Sequence, residues 1–178
     1  MATFGHVAVG LAASRFWAGR RGQVVPSKVS MVVCAALALL PDIDVLAFRL
    51  HIPYAARFGH RGAIHSLAFA GFAGCFVGLV QAFRRRPWLG LALLTAAVTA
   101  SHGLLDALTD GGLGVALFWP FTDHRYFFAW TPIPVAPIGR SALSVYGLSV
   151  VLTELWMFSP LVAYALWPRH NRYATPAS

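Results

Sequence analysis

Four apolar runs, each close to the length of a membrane-spanning helix, limit what this chain can fold into. They cover Val29–Leu46, Ala63–Phe83, Trp88–Leu108 and Ser141–Trp167. A helix needs about 20 mainly apolar residues to cross a bilayer, so the runs predict about four transmembrane helices. The last run is long and contains Pro160, which predicts a tilt or a kink in that helix.

The composition supports a membrane protein. Of the 178 residues, 58% are hydrophobic and 11% are charged, which is too apolar for an ordinary soluble domain. A fifth apolar piece, Phe4–Ala18, is shorter than a span and predicts a partly inserted or interfacial helix; the sequence leaves open whether it crosses the bilayer. We expect an all-α integral membrane protein with one domain over residues 1–173 and a disordered tail over 174–178.

The basic residues, which give a formal net charge of +8, lie between the apolar runs. Topology signals and contacts with lipid headgroups therefore explain them better than a nucleic-acid partner, which we do not expect. One side would carry Arg15, Arg20, Arg21, Lys28, Arg84, Arg85, Arg86, Arg169 and Arg172, and the other Arg49, Arg57, Arg61, Arg125 and Arg140. The positive-inside rule places the nine in the cytoplasm of a bacterium, with a multi-pass chain in its cytoplasmic (inner) membrane.

Five of the six acidic residues lie inside or next to clusters of histidine. The motifs are Pro41-Asp42-Ile43-Asp44, His60-Arg61-Gly62-Ala63-Ile64-His65-Ser66 and Ser101-His102-Gly103-Leu104-Leu105-Asp106, with His6 near the start. A carboxylate is costly in apolar surroundings unless it is paired or binds a metal. The predicted topology brings all four to the outer half of the membrane if Phe4–Ala18 runs inward. The pattern therefore indicates a metal site that faces outward.

The spacing within two motifs predicts how their side chains meet. His102 and Asp106 are four residues apart in a helical run, so they share one face. His60 and His65 are five apart, which suits a loop position for His60 and a first-turn position for His65. Ser66 could hydrogen-bond an oxygen ligand. The alternative for His102 and Asp106 is a His–Asp hydrogen bond that joins helices. The alternative for His60 and His65 is a pair of histidines near lipid headgroups.

Three further acidic residues need a particular backbone conformation or a partner. Asp42 and Asp44 are two apart, so an unwound helix end would let both face the site, whereas the alternative is a polar helix terminus. Without a cation, two neighbouring carboxylates would repel each other. Glu154 lies near the middle of the last run, where an acid is either functional or paired with a neighbouring helix.

The candidate metal ligands are His6, Asp42, His60, His65, His102 and Asp106. Histidine and carboxylate ligands without cysteine favour zinc, with manganese and iron as alternatives. This many ligands exceeds the needs of a single four-coordinate ion, so the site would hold one or two divalent metal ions.

The connection from Asp110 to Arg140 is rich in glycine, proline and aromatic residues and falls on the outer side. It predicts a lid or lipid-facing cap over the site, or else a plain interfacial loop. From this segment we take Trp119, Phe121 and Arg125 as candidate substrate-binding residues.

In their order and in their residues, the motifs resemble those of the YdjM-like family of small inner-membrane proteins, which are classed as metal-dependent hydrolases. The shared features are the early histidine, Leu-Pro-Asp-Ile-Asp, His-Arg-Gly-x-x-His-Ser, Ser-His-x-Leu-Leu-Asp and the Leu-Phe-Trp-Pro-Phe stretch, over about residues 4–125. A looser likeness is to zinc-dependent phospholipase C, a soluble family. The resemblance implies a metal-dependent hydrolase, but it does not name a substrate.

We therefore expect a membrane-embedded, metal-dependent hydrolase of a small-molecule or lipid-like phosphoester at the outer face of the membrane, with membrane lipid as its partner. Asp44 would be the base or a bridging ligand, and Arg61 would bind an anionic oxygen. The alternatives are a non-catalytic metal-binding membrane protein, such as a carrier or sensor, and a purely structural role. The sequence leaves the oligomeric state open.

Overall fold

The computed structural model describes residues 3–137 and 139–167, and this part of the chain is helical. Its α-helices are α1 (Thr3–Arg20), α2 (Lys28–Leu39), α3 (Leu46–Arg49), α4 (Leu67–Phe83), α5 (Leu89–Ala107) and α6 (Val145–Leu166). Three 3-10 helices cover Leu40–Val45, Ala63–His65 and Gly139–Leu143. The described residues form no strand, only two isolated β-bridges. The all-α prediction is confirmed, whereas the predicted tail lies outside the described residues.

Three helical stretches are long and apolar enough to cross a membrane: Lys28–Arg49, Leu89–Ala107 and Val145–Leu166. The fourth predicted span is a shorter apolar helix, Leu67–Phe83. Helix α6 continues through Pro160. Because proline has no N–H to donate to the carbonyl four residues earlier, the Ser159 hydroxyl donates to Trp156 O instead, at 2.8 Å.

Helix α1 lies at the centre of the bundle, in contact with α2, α5 and α6. This helix was predicted, from the apolar piece Phe4–Ala18, to be partly inserted or interfacial. Its 18 residues make it longer than that piece, about 27 Å. It lies beside the helices that are long enough to span the membrane. Small residues let α2 approach it: a Cβ on Gly10 would lie 2.6 Å from Cys34 O.

Antiparallel packing sorts the chain's polar groups into two ends. Trp17 of α1 packs over Gly90 of α5, and Ser14 of α1 hydrogen-bonds Ser30 of α2. One end, here called the site end, contains the start of α1, the end of α2, the start of α4 and the end of α5. The opposite end, the basic end, carries Arg20, Arg21, Lys28, Arg84, Arg85 and Arg86.

The segment between α5 and α6 covers the site end. Val115 and Leu117 are buried with Ala107 and pack against Tyr126. Leu117 O accepts a hydrogen bond from Leu67 N at 3.0 Å, which fixes the segment to the start of α4. Other aromatic side chains of the segment are exposed, Phe121 at 92% and Trp130 at 74%, which fits both a lipid-facing cap and a plain interfacial loop.

Candidate metal centre

Local backbone structure brings the four sequence motifs together. The end of α2 continues as the 3-10 helix Leu40–Val45, which is wound more tightly than an α-helix and is not the unwound end that the spacing of its two aspartates predicts. His60 lies in a loop, and His65 ends the 3-10 turn Ala63–His65 just before α4, as predicted. Ser66 does not face a ligand: its side chain caps α4 by accepting from Phe69 N at 3.0 Å.

Five donor residues converge in the interior of the site end: His6, Asp42, His65, His102 and Asp106. They are fully buried, except that the Asp42 side chain is 11% exposed. Three overlapping groups of potential ligand atoms include these residues, and one of the groups also contains Asp44 and the predicted ligand His60. The cluster therefore joins residues from α1, α5 and the segments that flank α2 and α4, and it could hold a metal ion.

Several of the distances between donor atoms are close to those between ligands of one ion, although His65 Nε2–Asp42 Oδ1 is 3.8 Å and His102 Nε2–Asp106 Oδ2 is 3.9 Å. His65 Nε2 lies 3.0 Å from His102 Nε2 and 3.5 Å from Asp106 Oδ2. Asp42 Oδ1 lies 3.4 Å from His102 Nε2, and Asp106 Oδ1 lies 3.4 Å from His6 Nε2. Metal–ligand bonds of about 2.0–2.1 Å place neighbouring ligands about 2.8–3.0 Å apart in octahedral geometry and about 3.3–3.4 Å apart in tetrahedral geometry.

The far nitrogens of two imidazoles each lie next to an acceptor. His102 Nδ1 lies 2.7 Å from Ala38 O; since a carbonyl only accepts, this nitrogen donates. His65 Nδ1 lies 2.9 Å from Asp44 Oδ2 in an ion-pair contact that lacks the geometry of a hydrogen bond. Metal-binding histidines commonly donate their second N–H to a carbonyl or carboxylate, which orients the ring and fixes the tautomer. Both Nε2 atoms therefore face the cluster ready to bind a cation.

Asp44 orients its neighbours. Its Oδ1 lies 2.6 Å from His60 Nδ1, and its Oδ2 accepts from Arg61 N at 3.1 Å. Together with the contact to His65, this engages both oxygens. The His60 ring stacks on Tyr54, with 5.3 Å between ring centroids. The structure thus places Asp44 and His60 as a hydrogen-bonded pair beside the five donors.

Buried polar atoms in the cluster lack partners. Both ring nitrogens of His6 and both carboxylate oxygens of Asp42 and Asp106 have no hydrogen bond of good geometry within the described part of the chain. Such orphaned atoms are rare in folded proteins and call for an ion or water. With neutral histidines, the three carboxylates Asp42, Asp44 and Asp106 and the guanidinium of Arg61 sum to minus two, so a divalent cation would balance the charge.

Arg61 is the cation of the site. Its Nε lies 3.0 Å from Asp106 Oδ2, and its Nη1 donates to Gly111 O at 2.8 Å. Its side chain is 1% exposed, and Nη2 has no hydrogen-bond partner among the described residues. The backbone at Arg61 has φ 61°, a left-handed conformation that costs a non-glycine residue energy and that often occurs at functional sites.

The three predicted substrate-binding residues lie apart from the donors. Phe121 is exposed to the surroundings, and Trp119 packs edge-on against Phe58. Arg125 donates to His60 O at 2.9 Å, Tyr54 O at 3.0 Å and Ala56 O at 3.1 Å. It therefore braces the loop that carries His60, and a substrate-binding role for these three residues stays a prediction.

Two features of the site could not be assigned from the motifs alone. Glu154 accepts hydrogen bonds from Phe4 N at 2.9 Å and Gly5 N at 3.4 Å, so α6 caps the first turn of α1 next to His6. Gly103 follows His102, and a Cβ there would lie 2.3 Å from His65 O. The glycine in the motif thus lets the main chain of His65 approach α5.

Asp110 lies beyond the end of α5 and accepts a hydrogen bond from Val135 N at 2.7 Å.

Comparisons with known proteins identify a family of inner membrane proteins. The family model described as YdjM inner membrane protein matches residues 1–174. The inner membrane protein YbcI of Escherichia coli (strain K12) is 39% identical over 163 residues, which cover 86% of this chain and 91% of that protein. No solved structure matches the chain. The helical bundle with its His/Asp centre therefore belongs to the YdjM family of inner membrane proteins.

Proposed function

We propose that this chain is a metal-dependent hydrolase of the inner membrane in which one divalent cation is held by five residues. These are His6, Asp42, His65, His102 and Asp106. The observation that carries the proposal is their convergence in overlapping groups of potential ligand atoms, with the far nitrogens of His65 and His102 next to acceptors. Zinc suits this set of nitrogen and carboxylate ligands, which contains no cysteine, while manganese or iron fits the same atoms.

The neighbouring residues supply the groups that a hydrolysis needs. A bound divalent cation would lower the pKa of water and polarise a phosphoryl oxygen. His60, oriented by Asp44 through the 2.6 Å contact, would take the proton from the attacking water. The water oxygen bonds to phosphorus, the P–O ester bond breaks, and His60 returns the proton to the leaving alkoxide. Asp44 thus acts through His60 in this proposal.

The substrate is proposed from charge and surroundings. Arg61 Nη2, buried and without a partner in the described residues, would bind an anionic phosphoryl oxygen. The chain positions beside the partly exposed Asp42 are apolar, with Ile43 54% and Leu46 57% exposed. A substrate that reaches the site past these residues has to be compatible with an apolar surface. We therefore propose a lipid phosphoester, and we place the site end at the outer face because the basic end carries the cytoplasmic signal.

Metal content tests the centre itself. Detergent-purified protein would be analysed by mass spectrometry beside a His102→Ala, Asp106→Ala double variant. We expect about one transition metal ion per chain in the parent and none in the variant. The matched control is Asp123→Ala, His124→Ala, which removes the same residue types from an exposed part of the outer segment and should keep its metal. Absence of metal after reconstitution with zinc, manganese and iron would overturn the proposal.

Turnover tests the reaction. The zinc-loaded parent, Asp106→Ala and the exposed-residue control would be incubated with mixed micelles of phosphatidic acid and of phosphatidylglycerol, and release of phosphate or headgroup measured. We expect release by the parent and the control and at least a 100-fold loss in Asp106→Ala, because an essential ligand is missing. Equal release by a folded Asp106→Ala variant would contradict metal-dependent hydrolysis.

A second candidate is a non-catalytic metal-binding protein, such as a carrier or sensor. The observation that favours it is the burial of the site. Of the five donors, Asp42 alone exposes any appreciable part of its side chain, 11%. A large substrate therefore has little access to the donors. Zinc uptake into proteoliposomes, abolished by His102→Ala and accompanied by no turnover on the phosphoester panel, would support this candidate over the hydrolase.

A further inference from the structure

A long apolar groove lies on the side of the bundle, away from the metal centre. Helices α5 and α6 each pack on α1 but do not pack closely on each other, so a face of α1 stays open between them. The groove encloses about 700 Å³, within the usual range for sites that bind small molecules. The open face is therefore large enough for a ligand.

Small residues form the floor of the groove and larger ones its rims. Ala12 and Ala13 of α1 and Ala97 of α5 line it, whereas Phe16 and Leu93 stand beside them, 52% and 61% exposed. The depth of the groove thus follows directly from alanines at positions where larger side chains would fill it. In a membrane, such an apolar surface is covered by an acyl chain or by another protein.

The groove is polar at one end only. Arg20, Trp17 and Tyr164 line it at the basic end, where the Arg20 guanidinium lies 5.9 Å from the centre of the Phe16 ring. Tryptophan and tyrosine prefer the headgroup level of a membrane, and arginine there attracts anionic lipid. The end near Val9 is apolar.

The length of the groove matches one leaflet. From Val9 to Arg20, α1 rises about 16 Å, close to half of the roughly 30 Å hydrocarbon core of a bilayer. With Arg20 at the headgroup level, Val9 lies near the bilayer midplane. The groove therefore has the dimensions and the charge distribution of one lipid lying along α1.

We propose that the groove binds one anionic phospholipid from the leaflet at the basic end, with its acyl chain over Ala12 and Ala13 and its phosphate beside Arg20. This site is separate from the metal centre, which lies at the opposite end of the bundle, and the proposal does not depend on the hydrolase activity.

Native mass spectrometry of the full chain, exchanged into detergent with defined phosphatidylglycerol or phosphatidylethanolamine, tests it. We expect one retained phosphatidylglycerol per chain and weaker retention of phosphatidylethanolamine. Arg20→Gln should lower phosphatidylglycerol retention about fivefold, the effect of one cation near an anionic surface. The matched control is Arg84→Gln, an exposed arginine at the same end that does not line the groove, and it should leave retention unchanged.

Groove-filling variants test the acyl-chain position. Ala97→Phe, at an exposed site, and Ala13→Phe should each abolish retention of both lipids, and the first keeps the test valid if the second misfolds. Equal losses in Arg20→Gln and Arg84→Gln, or full retention in folded Ala97→Phe, would overturn the proposal. So would a lipid-free dimer that Ala97→Phe dissociates, because a second copy of the chain would then occupy the groove.

Discussion

The Nε2 atoms of His65 and His102 lie 3.0 Å apart in the interior of the site end. Because His102 Nδ1 donates to Ala38 O, Nε2 of a neutral His102 carries a lone pair. In the absence of a metal, His65 must then supply the hydrogen between the two nitrogens. Burial alone would lower the pKa of His65, but its close contacts with the carboxylates of Asp106 and Asp44 outweigh burial and raise the pKa to about 9. A proton on His65 thus stands where a cation would be.

This proton predicts how the stability of the metal-free protein depends on pH. The pKa of His65 is about 9 in the folded state, above the ordinary value of 6.5. Its contribution to stability is therefore fully present below pH 6.5 and is lost as the pH rises through 9. We expect the thermal midpoint of chelator-treated protein in detergent to fall between pH 6.5 and 9.

Zinc-loaded protein serves as the comparison, since a bound cation replaces the proton and should remove this decline. His124→Gln, at an exposed histidine, should behave as the parent does. A midpoint that rises with pH in the metal-free parent would show that His65 is neutral when the site is empty of cations.

Asp44→Asn tests the orienting role of this carboxylate. An amide can accept through one oxygen only, so it cannot serve His60, His65 and the main chain of Arg61 together. We expect zinc affinity to fall about 10- to 100-fold, with one ion still bound at saturation. Competition with a chelating dye measures the affinity, and Asp123→Asn is the exposed control. Loss of the ion at every zinc concentration would instead make Asp44 a direct ligand.

The membrane class and the site end could be predicted from the sequence because they rest on local patterns. Apolar runs mark helices, and the spacing of His102 and Asp106 places both on one face. The position of α1 could not be predicted, since its burial depends on Gly10 and on three neighbouring helices. The acceptors next to the imidazoles could not be predicted either. A main-chain carbonyl such as Ala38 O has no sequence signature, and the different roles of Asp44 and Asp42 follow only from the backbone conformation.

We expect Glu154 to influence the candidate metal centre indirectly, through the main chain of α1. Its carboxylate accepts from Phe4 N and Gly5 N, and the next residue, His6, stacks on His102 with 3.7 Å between ring centroids. Glu154→Leu would leave these N–H groups uncapped at a cost of about 1–2 kcal/mol and let His6 move. We expect weaker zinc binding and a changed cobalt absorption spectrum.

Glu154→Gln keeps an acceptor oxygen and should restore most of the affinity and the parent spectrum. Glu154→Leu with unchanged cobalt absorption but lower thermal stability would limit Glu154 to a structural role. His6→Ala is the reference for complete loss of the first-turn ligand, so the Glu154→Leu spectrum should shift towards that of His6→Ala.

Gly103→Ala tests whether the main chain of His65 must lie against α5. The added Cβ would fall 2.3 Å from His65 O, so the 3-10 turn that carries His65 has to move away from His102. Gly71→Ala in α4 is the matched control, since a Cβ there meets nothing within 4 Å and alanine should raise helix stability by about 0.5–1 kcal/mol. We expect Gly103→Ala to lose at least 10-fold in zinc affinity, measured by dye competition, while Gly71→Ala keeps it. Equal affinity in both variants would show that the turn can shift without disturbing the donors.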